Sequence, residues 1–530
     1  MFDLTKWPIG PEQITALVSR RSGGAKVAPR VTLWTEQLIG NRSVLTATAT
    51  AVISGDPKAG YVTTLTLPLP TGMSGWQIGE RIVVGTPPNI FDAGILQSYN
   101  PSSGDATMVL PYVIQHNYTY GFPAYQAVPE FVPVNGYDFP PPGTADEHNS
   151  NDITQICNSM ICSIDSTQSV SRDLKLNVIE RDGFRYDPER YCLKLFCDFW
   201  DHLPAEGSGG NVMADVPVFH GYTVQPTKQI AAENGIWAVT AQDPTHKAAV
   251  APFLNTFACP GGANIAGLIV DMLSMDFLAA DPNLGALAGT GICPSGAPDA
   301  GPNIRFSKMS IPPTNSVLPY AFIFSVENTY KLDAMNALAR VYNCWKLYSD
   351  AYGNVLTRPM PYYTDAVPFQ AWAYQTDGDS IFIDPQTLTY PDIGSRPNAV
   401  TVITEPNGGT PSRATWYNTN PSSSNSVPRL NRIIGKAVRD DYIGDAAKLL
   451  LRAKLEVQLA AMQDPPLQVS HLVNPFQFDL YDGVMVNYAS QHGVQIASSP
   501  NSLFICTAAS MDFSSAPFKQ STTLQKVVFV

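Results

Sequence analysis

Proline and turn-forming residues interrupt this chain at short intervals along its whole length. There are 45 prolines among 530 residues, about 8% against an average usage of about 5%, and they recur beside Gly, Asn, Asp and Ser. A proline fixes φ and removes a backbone donor, so long helices and long central strands cannot cross these positions. The punctuation therefore favours short strands and ordered loops over a helical bundle.

Between the prolines, β-type segments recur at intervals of roughly 8 to 12 residues. The segments Leu174–Ile179, Tyr191–Trp200 and Gly235–Asp243 are rich in apolar and β-branched residues, as is the longer run Val27–Val52. Such patterns are typical of strands with one or both faces covered. The predicted fold class is α+β, predominantly β.

Helical spacing of apolar residues is confined to a few segments. It predicts helices over Asn264–Met275, Thr329–Tyr342 and Tyr442–Gln463, and a short proline-led helix over Pro11–Arg20. The intervening passage Asp281–Asn303 is rich in Gly, Pro and Ala and is predicted to be a long loop.

The charge pattern excludes several classes of partner. Charged residues make up 15% of the chain and the net charge is −12, and no dense Lys/Arg tract provides the footprint of a duplex binder. No apolar run approaches the roughly 18 residues of a membrane span, and no signal-peptide pattern opens the sequence. We expect a chain made and folded in a cytosol, without stable membrane association.

The cysteines leave two interpretations open. Cys157 and Cys162 share a spacing of five with Cys192 and Cys197, which could bring four thiolates to one metal ion. None of the eight cysteines fits a CxxC zinc pattern, so buried thiols in strands are the simpler interpretation.

Other segments only partly match known sites. Gly289–Gly296 lacks the ending of a phosphate-binding loop, and Asp377–Asp384 lacks the central glycine of a calcium loop. Asp479 and Asp482 could form an acid–base pair, but Asp-Gly before a strand is also ordinary turn chemistry. We predict no catalytic residues, no metal and no cofactor.

Several motifs occur in an order that is similar to one protein family. Lys331–Pro361 contains a helix, a tryptophan strand, a D-x-x-G turn and an R-P-x-P ending, and Asn474–Val486 contains a proline, an aromatic residue and D-x-V-x-V. Upstream, Asp215–Thr223 carries F-x-G and Trp237–Asp243 carries A-x-D. In this order the motifs resemble the tail hub (baseplate hub) proteins of tailed bacteriophages, over roughly residues 171–511.

The resemblance implies two related tube-like β-barrels flanking small α/β domains. Three such chains would form a homotrimeric ring that closes the tail tube in the virion, after assembly in the host cytoplasm. It also implies contacts with a distal tail protein ring, the tape measure protein and receptor-binding or central fibre proteins, with DNA passing only transiently. The predicted domains are 1–60 with 156–245 as the first hub barrel, 61–155 as an inserted small β domain and Pro/Gly-rich linker, 246–327 as a small mixed domain with a long loop, 328–395 as a helix-hairpin α/β domain, and 396–530 as the second hub barrel with the helix 442–463.

Two other functions stay open at this stage. The aromatic-rich insertion is compatible with a receptor- or carbohydrate-binding tail protein. A glycan-acting enzyme would need a carboxylate pair in a cleft. The resemblance favours the structural role over both.

The long helix carries two apolar stripes. One stripe is suited to packing on the barrel of the same domain, and Leu451, Leu455 and Leu459 form a second at i, i+4 and i+8. We expect this second stripe to be covered by a neighbouring subunit, the alternative being another segment of the same chain. Replacing Leu455 and Leu459 with serine would then weaken oligomerisation more than subunit stability.

Overall fold

The chain is predominantly β, which confirms the predicted fold class. Its computed structural model describes residues 26–38, 42–47, 50–54, 62–68, 81–86, 89–100, 102–103, 105–110, 122–126, 129–133, 152–180, 185–188, 191–200, 211–230, 235–253, 257–274, 309–312, 314–324, 329–351, 353–360, 370–375, 382–388, 396–405, 411–462, 466–473, 479–487 and 502–527. These residues contain 29 strands, β1 to β29, and five α-helices, α1 to α5, numbered in chain order.

One sheet of 14 strands draws on both ends of the described chain. Its strands are β1 (Lys26–Leu38), β9 (Pro129–Pro133), β10 (Cys157–Asp165), β11 (Arg172–Ile179), β12 (Tyr191–Trp200), β13 (Asn211–Thr223), β14 (Thr227–Ile230), β15 (Gly235–Gln242), β21 (Gln370–Gln375), β22 (Phe382–Leu388), β26 (Leu467–Leu472), β27 (Gly483–Asn487), β28 (Ser502–Asp512) and β29 (Lys519–Lys526). The main path runs β22-β26-β29-β28-β10-β11-β15-β13-β12-β1-β9, with β14 beside β15, β27 beside β28 and β21 beside β27.

The main sheet has two halves, which differ from the two predicted barrels because residues 399–404, 412–417 and 435–439 of the predicted second barrel form a sheet of their own. The first half comprises β1 and β9 to β15, and the second comprises β21, β22 and β26 to β29. They join where β10 pairs antiparallel with β28, from Ile161 opposite Asp512 to Asp165 opposite Ala508. A continuous ladder satisfies the backbone donors and acceptors of both strands, so the halves cannot separate without breaking it.

Alternation of apolar and polar residues explains how β11 packs in the first half of the sheet. Leu174, Leu176 and Val178 are buried at every second position, and Leu174 and Leu176 lie opposite Ala241 and Val239 of β15. Side chains two apart share one face of a strand, so this face contributes to the core of the first half.

A separate sheet of seven strands lies between β1 and β9 in the chain. Its strands are β2 (Arg42–Ala47), β3 (Thr50–Ser54), β4 (Val62–Pro68), β5 (Arg81–Thr86), β6 (Asn89–Tyr99), β7 (Asp105–Leu110) and β8 (Phe122–Gln126), in the order β2-β8-β5-β6-β7-β4-β3.

The predicted insertion boundaries, 61 and 155, are therefore wrong. The run Val27–Val52 spans two sheets, because β1 belongs to the main sheet and β2 to the seven-stranded sheet. The strand β9, which lies in the stretch predicted to be a linker, pairs with β1 in the main sheet. Both parts of that run have strand-like composition, so composition could not show which sheet each strand joins.

Replacing residues 39–128 with a two-residue Asn-Gly turn should leave a folded remainder. Leu38 lies opposite Pro129 in the β1–β9 ladder, and a two-residue turn joins directly opposed antiparallel positions. We expect the melting temperature of the remaining sheet to change by no more than about 4 °C, measured by circular dichroism.

A deletion with the boundaries predicted from sequence provides the contrast. Removing residues 61–152 takes away β9 and the partners of β2 and β3, which are β8 and β4. That variant should misfold. Cooperative loss of the main sheet in the 39–128 variant would contradict the new boundary.

The middle of the chain forms a mixed core of helices and small sheets. Its elements are α1 (Thr245–Val250), α2 (Ile265–Ser274), α3 (Lys331–Val341), α4 (Val427–Leu430), α5 (Ala446–Ala461), β16 (Phe257–Cys259) with β18 (Phe322–Phe324), β17 (Met309–Ser310) with β20 (Val355–Leu356) and β19 (Tyr348–Ser349), and β23 (Ala399–Thr404) with β24 (Ser412–Tyr417) and β25 (Gly435–Arg439). The predicted helices correspond to α2, α3 and α5, while Pro11–Arg20 lies outside the described residues.

The long helix belongs to this middle core. Leu449, Ala453 and Val457 of α5 share one buried cluster with Val400 and Val402 of β23. The prediction that this apolar stripe packs on the second barrel is therefore wrong, and so is the assignment of β21 and β22 to the 328–395 domain, since both strands lie in the main sheet. The sequence showed an apolar stripe but not its partner.

The start of α5 has a local cause. The Asp445 carboxylate accepts a hydrogen bond from the Ala447 amide at 2.8 Å. An N-cap side chain of this kind supplies the acceptor that an amide in the first turn of a helix otherwise lacks. The helix thus begins at Ala446 rather than at Tyr442 as predicted. Among the described residues, no helix has the length and apolar character needed to cross a membrane.

Candidate functional site: a buried ionic junction

A hairpin of the middle core reaches the place where the two halves of the main sheet meet. Its strands β19 and β20 are joined by the turn 350–353, whose Gly353 has φ of +85°. The Asp350 carboxylate accepts hydrogen bonds from the backbone amide and the Nδ2 of Asn354, both at 2.8 Å. Only glycine adopts this backbone conformation without steric cost, so the D-x-x-G motif is explained by the turn.

The turn packs tightly against the first half of the sheet. A β-carbon at position 353 would lie 2.7 Å from Nδ1 of His220 on β13, a distance that real side chains do not tolerate. Gly353 is thus required both by its own φ and by its neighbour. The F-x-G strand and the D-x-x-G turn, which are far apart in sequence, form one contact.

Arg172, the first residue of β11, connects three parts of the chain. Its guanidinium donates to the carbonyl oxygen of Val218 on β13 at 2.9 Å, to that of Ser349 on the hairpin at 3.3 Å, and to the carboxylate of Asp479 in the second half at 2.7 Å. The Arg172 side chain is 2% exposed. Hydrogen bonds from a charged donor in such a buried place are strong, and the one to the Asp479 carboxylate is the costliest to break.

Asp243, the last residue of the A-x-D motif, holds the backbone of Arg172. Its carboxylate accepts from the Arg172 amide at 2.9 Å and from the Thr245 amide at 2.8 Å. Asp243 is fully buried. It therefore links the start of β11 to the start of α1.

A second arginine joins the hairpin to the other half of the sheet. Arg358, from the R-P-x-P motif, pairs with the fully buried Asp482. Asp482 also accepts from the Asp479 amide at 2.8 Å. Nearby, the rings of Trp345 and Tyr481 stack with centroids 4.3 Å apart.

We call Arg172, Asp243, Asp350, Arg358, Asp479 and Asp482 the ionic junction. Burial raises the pKa of Asp350 to about 6, with a further contribution from the neighbouring negative charge of Asp479. Burial also raises the pKa of Asp243, against the hydrogen bonds from Thr245. The pKa of Asp482 is raised by burial as well, against the attraction of Arg358. Four acids share two arginines here, so a buried negative charge is costly.

The geometry favours a structural role for Asp479 and Asp482. The sequence left open an acid–base pair, but each carboxylate is paired with its own arginine, Arg172 or Arg358. Groups bound in this way stabilise contacts between segments.

Sequence reasoning missed Arg172, although a signal was present. In β11 it occupies the same alternating register as Leu174, Leu176 and Val178, so a charged residue stands at an inward-facing position. An arginine in that register indicates a buried ion pair.

The structure divides the predicted interface stripe of α5. Leu455 is 2% exposed, and Leu459 packs against the core cluster of the second half. For Leu455 the same-chain alternative holds, because its side chain is buried within the chain, and serine there would act on subunit stability. Leu459 is only partly buried, so its contact with a neighbouring subunit stays a prediction. Leu451 is 38% exposed and stays a candidate subunit contact.

The cysteine spacing has an ordinary explanation in strands. Cys157 and Cys162 lie on β10, and Cys192 and Cys197 lie on β12; all but Cys157 are buried. Within the described parts of the chain, no three His, Cys, Asp or Glu side chains converge as metal ligands. Gly289–Gly296, Cys293 and Asp377–Ser380 lie outside the described residues.

Comparison with known proteins gives matches only in structure. No protein-family model matches the sequence, and no curated protein matches it. The chain is similar to the tail protein from Neisseria meningitidis MC58, with 12% identity, 69% of this chain and 91% of that chain covered, and a TM-score of 0.43.

Two further solved structures have similar values. The 43 kDa tail protein of prophage MuSo2 from Shewanella oneidensis has 9% identity, covers 69% of this chain and 93% of its own, and has a TM-score of 0.42. The prophage tail protein gp18 from Listeria monocytogenes EGD-e has 12% identity, covers 69% and 88%, and has a TM-score of 0.40.

Proposed function

We propose that this chain is a structural protein of a phage tail tip that forms a trimeric hub. The observation that carries the proposal is the ionic junction, where the motifs that resemble the hub family meet although they are spread over more than 200 residues of the chain.

The junction supports a ring because a ring needs rigid subunits. The two sheet halves share a β10–β28 ladder and are clamped by Arg172 and Arg358. Three copies with two halves each would place six similar elements around an axis. Closed rings arise when the same heterologous contact repeats with a rotation that closes.

The proposed partners follow from the same role. The hub would close the tail tube, contact a distal tail protein ring, the tape measure protein and receptor-binding or central fibre proteins, and form part of the DNA exit channel. A chain with 15% charged residues loses little solvation when its surface is buried in such contacts. Its net charge of −12 would keep passing DNA from binding to the wall.

The oligomeric state tests the proposal directly. Light scattering on the purified chain at micromolar concentration should give three times the 57.4 kDa of one subunit, and negatively stained particles should show rings with six density lobes. A monomer in solution together with no ring in assembled tails would overturn the hub role.

A further inference from the structure

The turn 479–482, which leads into β27, holds an aromatic residue in a backbone conformation that usually belongs to glycine. Tyr481 has φ of +65°, in the left-handed region where a β-carbon comes too close to a backbone carbonyl oxygen. Residues held in this way persist only where their surroundings compensate the strain, and they cluster at clamps and switch regions. The contacts around Tyr481 therefore show what holds the turn.

The turn is held from two sides. The Tyr481 ring stacks on Trp345 of the middle core, with centroids 4.3 Å apart and planes at 3°, and lies edge-on to Tyr348 with centroids 5.4 Å apart. Its backbone amide donates to the carbonyl oxygen of Cys506 on β28 at 2.8 Å, and the Cys506 amide donates to the carbonyl oxygen of Asp482 at 3.0 Å. The left-handed conformation therefore places the ring on the middle core while the backbone stays bound to the main sheet.

The same turn adds two carboxylates to a junction that already contains two. The carboxylates of Asp479, Asp350 and Asp243 all attract Arg172, and the two carboxylates of the turn both attract Arg358. The acids of the ionic junction thus outnumber its arginines, and buried like charges repel one another strongly. Without the two carboxylates of the turn, two aspartates would face two arginines and the charges would balance.

A neighbouring cation does not remove this surplus of acids. The Lys346 ammonium attracts Asp243, but the charge of Asp165 acts on that ammonium more strongly. The charge of Asp479 meanwhile acts against that of Asp350 across the contact between the turn and the hairpin. The closed turn therefore carries an electrostatic cost that is independent of its backbone conformation.

Two independent costs lie in the same four residues. We propose that the turn 479–482 is a latch with two states: closed, as in the structure, and released from both the Trp345 ring and the two arginines. In the released state Tyr481 can leave the left-handed region, and the arginines keep the carboxylates of Asp243 and Asp350. Gly483 is the first residue of β27, which pairs with β28 and β21, so the latch couples the middle core to these strands. The latch is a property of the single chain and does not depend on the hub role.

Hydrogen exchange of the full-length chain at pH 8 tests the latch. The readout is the protection factor, which is the exchange rate of an unstructured amide divided by the observed rate. The amides of Tyr481 and Cys506, which are hydrogen-bonded in the closed turn, should be at least about tenfold less protected than those of the β10–β28 ladder, because the latch opens without unfolding the sheet. Equal protection of the turn and the ladder would overturn the proposal.

Trp345→Leu removes the stack and leaves both arginines in place. The protection factor of the two turn amides should fall about threefold to tenfold, while that of the ladder should change less than about twofold. An equal fall in both would mean that the substitution lowers only the global stability, and the latch would be rejected.

Asp350→Asn distinguishes a latch from a contact that is simply rigid. The substitution relieves the repulsion with Asp479 in the closed state and leaves an excess arginine in the released state. The protection factor of the turn amides should therefore rise about threefold or more, whereas damage to a merely structural contact would lower it. Asp333→Asn, at an exposed aspartate in the first turn of α3, should change that factor less than about twofold. A lower or unchanged factor in Asp350→Asn would contradict the latch, whether or not Trp345→Leu folds.

Discussion

Replacing Arg172 with methionine is expected to lower the free energy of unfolding by about 3 to 5 kcal/mol. This is the usual cost of removing one partner from a buried ion pair. The substitution leaves Asp479 without its arginine at 2.7 Å and removes the donor to the carbonyl oxygens of Val218 and Ser349. Urea denaturation at a single low protein concentration measures the change, since oligomer formation would otherwise add to the apparent stability.

Lys175 on the same strand provides a matched control. Its side chain is 63% exposed and lies 3.6 Å from Asp173, so Lys175→Met should cost less than about 1 kcal/mol. The double variant Arg172→Met with Asp479→Asn should be more stable than Arg172→Met alone, because the unpaired buried charge is gone. If Arg172→Met cost no more than Lys175→Met, the junction would not hold the sheet halves together.

The second large effect is a dependence of stability on pH that comes from Asp350. Its pKa is raised to about 6 in the folded chain from an ordinary value of 3.8. Between these values the folded state binds a proton that the unfolded state has released, so stability falls as pH rises through this window. Below about pH 4 the contribution is fully present and above about pH 6 it is lost, a difference of about 3 kcal/mol.

Asp350→Asn isolates this effect because asparagine does not titrate. The stability of the original chain minus that of the variant should fall by about 3 kcal/mol between pH 4 and pH 8, measured by urea denaturation at several pH values. Arg429→Ala, at an exposed position away from the junction, should show no such trend. A constant difference between the original chain and Asp350→Asn would contradict the assignment.

The positions of the helices show how far local pattern reaches. The apolar spacing located α2 and α3 to within a few residues, because helical periodicity is a property of neighbouring residues. The same spacing in α5 identified the stripe of Leu449, Ala453 and Val457 but not its partner β23. Leu455 and Leu459 are equally suited to an intersubunit contact by their spacing, and only the burial of Leu455 within the chain excludes that residue from it.

The insertion shows the same division at the level of domains. The sequence indicated short strands at regular intervals between β1 and β9. It predicted that the insertion begins at residue 61, whereas in the structure the insertion begins after Leu38. Whether a strand joins one sheet or another depends on hydrogen bonds to residues far along the chain, such as Leu38 with Pro129. No local composition encodes such a partner.

The sequence by itself determined the mostly β class, the principal helices and the glycine of the D-x-x-G turn, since each follows from dihedral preference or periodicity over a few residues. Only the tertiary structure decided that Arg172 meets Asp479, that Arg358 meets Asp482 and that two distant sets of strands form one sheet. The physical reason is that a buried charge needs a partner in space, and the chain can supply that partner from any position that the fold brings near.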